Sequence, residues 1–201
     1  MRISAIALVL ILISGCAELN RTVYSQSLET EAKPFPRILS FTKPYVIVPI
    51  PLDEAVLRIT LHNAVTSVSF LFVGLVLPIP LPTDDSDSNV FHMHISASPN
   101  TDSISINPFN VVLHIHNRKA SPSIVTMSAP FQGEVSAEKA TILITETTHL
   151  DLFFPIPPIN PEEPFELEIN GVAIGQQPIT VPLIHFQTAS IWSYHMLPIF
   201  R

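Results

Sequence analysis

VFHMHISA, residues 90–97, alternates apolar and polar side chains with period two. Phe91, Met93 and Ile95 fall on one side, and His92, His94 and Ser96 on the other. Successive side chains of a strand point to opposite faces, so this pattern predicts a half-buried strand with its histidines turned away from the core. The same reading extends outward in both directions. Residues 55–62 (AVLRITLH) place Leu57, Ile59 and Leu61 against Arg58, Thr60 and His62, and residues 111–116 (VVLHIH) place Val111, Leu113 and Ile115 against Val112, His114 and His116. Residues 45–51 (YVIVPIP) read as extended chain punctuated by proline.

The most apolar stretch after the first residues is 65–77 (VTSVSFLFVGLVL). β-Branched and aromatic residues dominate it, which predicts a strand covered on both faces, bent at Gly74 and stopped by the prolines of PIPLP at 78–82. Further short strands are expected at 123–128, 131–135, 141–146, 150–155 and 181–186. A hairpin of 165–169 with 171–174 is expected around Asn170-Gly171, the strongest turn signal in the chain. Roughly ten short strands between Pro-, Asn- and Ser-containing turns predict an all-β fold, an antiparallel β-sandwich over residues 38–188, with a small closed β-barrel as the alternative. Val-Pro-Ile-Pro at 48–51 recurs as Leu-Pro-Ile-Pro at 77–80 and Phe-Pro-Ile-Pro at 154–157. It reads as shared strand-end chemistry or as a trace of two related halves.

Composition agrees. The chain of 201 residues is 47% hydrophobic and 13% charged, which separates it from disordered polymers. Twenty prolines leave little room for long helices. A formal charge of −7 argues against nucleic acid or anionic lipid as an electrostatic partner.

The chain begins MRISAIALVLILISGC, residues 1–16: one basic residue, an apolar run too short to span a bilayer, then Ser14-Gly15 and the single cysteine. Residues 13–16, Ile-Ser-Gly-Cys, resemble the lipobox of bacterial lipoproteins. The resemblance implies removal of residues 1–15 as a signal peptide and lipidation of Cys16. With Ala17 in place of Asp after the cysteine, it also implies an outer-membrane anchor in the cell envelope, facing the periplasm. Residues 16–37 are polar with isolated apolar positions and end at Pro34 and Pro36, so they read as a tether between lipid and domain. Residues 189–201, with Trp192, Tyr194, His195, Met196 and Phe200, read as an aromatic last strand, or as a docking tail for a partner or the membrane interface.

Chemistry is sparse. His92-x-His94 and His114-x-His116 each put two imidazoles on one face about 6.7 Å apart. Were the two strands neighbours, four imidazoles, joined by His62, could assemble a zinc or copper site. The plainer reading is a histidine-bearing solvent face that changes charge near pH 6. Asp85, Asp87 and Asn89 open like a calcium loop, but Val90 stands where the turn glycine belongs and Ser96 where the bidentate Glu belongs. Ser136-x-x-Lys139 matches a serine-hydrolase motif without its companion motifs. The expected function is therefore a lipid-anchored, non-enzymatic binding or scaffold module for an envelope partner. The alternative is a periplasmic metal-binding lipoprotein using the paired histidines.

Overall fold

The computed structural model describes residues 16–35, 43–52, 54–73, 77–81, 83, 90–100, 102–129, 133–137 and 140–197. In chain order the strands are β1 (Cys16–Ser27), β2 (Lys33–Phe35), β3 (Tyr45–Leu52), β4 (Ala55–Leu61), β5 (Val65–Val73), β6 (Leu77–Pro80), β7 (Phe91–Pro99), β8 (Ile104–Ile106) and β9 (Val111–Ile115). They continue with β10 (Arg118–Ala120), β11 (Ile124–Ala129), β12 (Gly133–Glu134), β13 (Ile142–Ile144), β14 (Thr148–Phe154), β15 (Phe165–Ile169), β16 (Val172–Ile174), β17 (Gln177–Ile179) and β18 (Ile184–Leu197). Helix among the described residues is confined to short 3-10 turns, such as Pro108–Asn110, and no helix is long and apolar enough to cross a membrane.

The strands form three antiparallel sheets, ordered β10-β9-β15-β18-β1-β5-β6 (sheet A), β12-β11-β14-β7-β4-β3-β2 (sheet B) and β13-β8-β16-β17 (sheet C). The fold is thus all-β and sandwich-like, as the alternation predicts. Leu57, Ile59 and Leu61 of β4 and Met93 and Ile95 of β7 are fully buried, as are Val111 and Leu113 of β9. One continuous core takes side chains from all three sheets. Its aromatic centre crosses the sandwich. Phe91 (β7) meets Phe154 (β14) at 5.7 Å and Phe165 (β15) at 6.4 Å, and Phe165 stacks on Phe186 (β18) at 4.5 Å.

Three local expectations are corrected. Residues 16–27 of the expected tether are β1, paired along its whole length with β18 and over Cys16–Val23 with β5. The physical reason is that its polar residues face inward. Glu18, Asn20 and Thr22 alternate with Leu19, Arg21 and Val23, and those three polar residues are fully buried. The Ser69 hydroxyl donates to Asn20 Oδ1 at 2.6 Å, and Asn63 Nδ2 donates to Ser25 Oγ at 2.8 Å. The expected 65–77 strand is two strands, β5 and β6, in a hairpin that pairs Val73 with Leu77. Pro78 and Pro80 lie within the edge strand instead of ending it. Residues 1–15, 36–37, Gly74, Asp85, Asp87, Asn89, Lys139 and 198–201 lie outside the described residues, so the leader, the bend and the calcium-like loop do too.

Asn170-Gly171 does not close a hairpin. β15 belongs to sheet A and β16 to sheet C, so this turn hands the chain from one sheet to another. Gly171 sits at φ +71°, and a Cβ there would stand 3.1 Å from Asn110 Nδ2. A left-handed conformation costs an L-residue about 1–2 kcal/mol. Gly171→Ala should therefore lower stability by about that amount in urea titration. Gly133→Ala, with open space around it, should be nearly silent.

Candidate binding face

Sheet B turns its second face outward, and its register sets the side chains of that face in rows. Phe35 pairs with Tyr45, Val46 with Leu61, Leu61 with Met93, and His92 with Phe153. One step beyond Leu61, His62 therefore falls between Tyr45 and His92, in a single row that crosses five strands. The rings meet as the register requires. Phe35 stacks on Tyr45 at 4.8 Å, Tyr45 meets His62 at 6.2 Å, His62 stacks on His92 at 5.0 Å, and His92 stacks on Phe153 at 4.8 Å. Flat rings opposed across strands stabilise a sheet by roughly 0.2–1 kcal/mol per pair. They also leave their edges available on a surface.

The next row holds His94 opposite Asp151, and the row after it holds Ser96 opposite His149. Asp151 Oδ1 lies 2.9 Å from His94 Nδ1 and 3.3 Å from His92 Nε2. His94 Nε2 lies 3.2 Å from His149 Nδ1. An ionised carboxylate only accepts, so both nitrogens facing Asp151 carry protons. A neutral His94 then presents Nε2 as an acceptor to the Nδ1–H of His149. The result is a directed hydrogen-bond chain, His149 to His94 to Asp151, with His92 donating to the same oxygen.

The electrostatics follow from this packing. Burial pushes the Asp151 carboxyl up, but the hydrogen bonds from His94 and His92 outweigh it and hold the carboxyl below its ordinary value. His62 stays open to solvent in part while His92 stacks on one face and Tyr45 leans against it at a tilt. Desolvation, followed by the nearby His92 and His94 imidazoles, lowers its pKa to about 4. His62 is therefore a neutral, stacked ring near pH 7.

The four-imidazole arrangement that the paired His-x-His strands suggested is not formed. β7 lies in sheet B and β9 in sheet A. His114 on β9 bonds instead to Glu168 of β15, its Nε2 lying 2.8 Å from Oε2. His116 has φ +54° in the two-residue turn between β9 and β10, so its place there is conformational. Among the described residues, no group of three or more His, Cys, Asp and Glu side chains is disposed to hold a metal ion. Of the five expected ligands, the fold brings together His62, His92 and His94, and it adds His149 and Asp151. The signal for those two was present, because THLDLFF at 148–154 alternates and sets His149, Asp151 and Phe153 on one face. Only the strand pairing reveals whom they meet. A separate open depression of about 530 Å³, between the β9–β10 turn and residues 156–159, shares no residue with these rows.

Comparison with protein-family models, curated proteins and solved structures finds no match for this chain.

Proposed function

We propose that this chain is a lipid-anchored protein of the bacterial envelope whose sandwich works without catalysis, as a binding or scaffold module that offers the aromatic row of sheet B to a protein partner. The observation that carries this reading is the row itself. Five rings, four from β2, β3, β7 and β14 and His62 one step past β4, fixed by sheet register and kept partly open to solvent, make a rigid aromatic surface of the kind that anchors interfaces. The row is pre-formed by backbone pairing, so little side-chain freedom is lost when a partner docks on it. Asp151 and the histidines beside it add directional polar contacts.

The anchor rests on the lipobox resemblance at 13–16. Cys16 opens β1 without any intervening spacer, so acyl chains on it would hold the sheet itself against the bilayer. Each buried CH₂ contributes roughly 0.8 kcal/mol, and two or more chains make that attachment durable. The metal-binding alternative is not carried forward, because its two strands are in different sheets.

Both halves of the proposal are testable in cells. Cys16→Ala should abolish incorporation of labelled fatty acid and move the protein out of the membrane fraction. Retention of label or of membrane association would sink the anchor. A photo-crosslinking residue at Tyr45 should give one discrete adduct with an envelope protein, weakened about tenfold by His92→Ala. The same probe at Glu166, on sheet A, should give none. Equal adducts at both positions, or none at either, would remove the case for the row.

A further inference from the structure

Every sheet in this fold has two ends, and each end is guarded. Sheet A ends at β10, three residues with exposed Arg118 and Lys119, and at β6, which carries Pro78 and Pro80. Sheet B ends at the two-residue β12 and at β2, which holds Lys33 and Pro34. Sheet C ends at the three-residue β13 and at β17, which holds Pro178. Short length, charge and proline are the devices that keep strand edges from pairing with other chains.

One long edge has none of them. β15 covers β18 only at Ile184–Phe186 and is preceded by Pro164, whereas β18 runs on to Leu197. Residues 187–197 therefore present about 35 Å of strand whose side away from β1 has no backbone partner among the described residues. The phase of that edge can be read. The Leu28 N–H donates to His185 O, so odd-numbered residues of β18 turn their backbone toward β1. The even-numbered ones, Thr188, Ser190, Trp192, Tyr194 and Met196, turn theirs outward, and none is proline. At β6 the opposite holds. The Leu81 N–H donates to Ser69 O, which leaves Pro78 and Pro80 where outward donors would stand. Large apolar side chains accompany the open edge, with Trp192 55% and Tyr194 61% exposed.

We infer that the β18 edge pairs with the β18 edge of a second copy of this chain, antiparallel and about a two-fold axis near Trp192. The edge fits itself. A two-fold axis brings residue i to j and j to i, so five proline-free residues face five of the same kind. The axis stands perpendicular to the sheet, so the Trp192 and Tyr194 side chains of both copies lie on one face as cross-strand aromatic neighbours. The joined eight-stranded sheet would run β6-β5-β1-β18 and back through the partner's strands in reverse order. It would end at a proline-bearing β6 on both sides. Such an assembly closes at two copies and does not grow into a fibre.

The test is a single-cysteine scan over 188–196 in the full chain carrying Cys16→Ala, with oxidation followed by intact mass. Antiparallel pairing predicts homodimer adducts that peak at one position near 192 and fall within about two residues on either side. Mixed samples should cross-link Ser190→Cys to Tyr194→Cys. Light scattering should give a dimer, and Trp192→Lys should raise the dissociation constant at least about tenfold while leaving the melting temperature of the fold near that of the parent. If that variant does not fold, the cysteine scan decides alone. A monomer with no adduct, cross-linking of equal strength at every position, or an adduct with a different protein or with vesicles alone would each overturn the inference.

Discussion

Phe91→Ala is expected to lower the free energy of unfolding by about 3–5 kcal/mol, the range for deleting a buried phenylalanine from a close-packed core. Phe91 is 2% exposed and stands where the two large sheets meet. Its ring touches Phe154 in its own sheet and Phe165 in the opposite one, and Phe165 is stacked on Phe186. Removing it strips one sheet-A ring and one sheet-B ring, Phe165 and Phe154, of a shared neighbour and leaves a cavity lined by groups that are anchored in strands and cannot easily collapse. A domain of this size has about 5–15 kcal/mol in total, so the urea midpoint should fall sharply with an unchanged slope. Phe153→Ala makes the internal comparison. The two phenylalanines are adjacent in sequence, but Phe153 lies half-buried in the outer row, stacked on His92. Its loss should cost clearly less. Equal losses from the two variants would contradict the assignment of inner and outer faces to β14.

That pair also marks where the sequence is legible. Alternation tells which face of a strand is apolar, and the faces of β4, β7 and β9 are as their residues require. It does not tell what lies on the other side. At β1 the polar residues 18, 20 and 22 are fully buried between β18 and β5, with Asn20 bonded by Ser69, so a segment that looks solvated by composition is internal. At Asn170-Gly171 the chain does turn, with Gly171 at φ +71°, but the turn joins two sheets instead of closing a hairpin, because sheet membership is decided by contacts far along the chain. The histidines show the same limit. Their outward placement follows from period two, whereas Asp151 and His149 reach His94 across more than fifty residues of intervening chain, through a pairing that no local pattern encodes.

The outer face should make this fold sensitive to acid in a window set by one ring. In the folded protein His62 titrates at about 4, whereas an unfolded histidine titrates near 6.5. Between those values the unfolded chain takes up a proton that folded His62 refuses, so stability falls as pH drops from about 6.5 through about 4. Solvent at the open edge of the ring screens the effect, which keeps the loss well below the about 1.4 kcal/mol per pH unit of a fully enclosed group. The Asp151 and Glu29 carboxyls act with the same sign but lower on the scale. Burial raises both, and the bonds from His94 and His92 to Asp151 and from His185 to Glu29 bring them below the ordinary carboxylate range. Their contribution is complete above that range and is lost as they protonate in stronger acid. His62→Phe separates the two windows, since phenylalanine keeps a flat ring between Tyr45 and His92 and has no proton to gain. The urea midpoint of the parent should decline from about pH 6.5 downward, while that of His62→Phe should hold level until the carboxylates begin to titrate. Parallel curves for the two proteins would show that His62 is not the group held neutral in the stack, and would leave Asp151 and Glu29 as the source of any acid sensitivity.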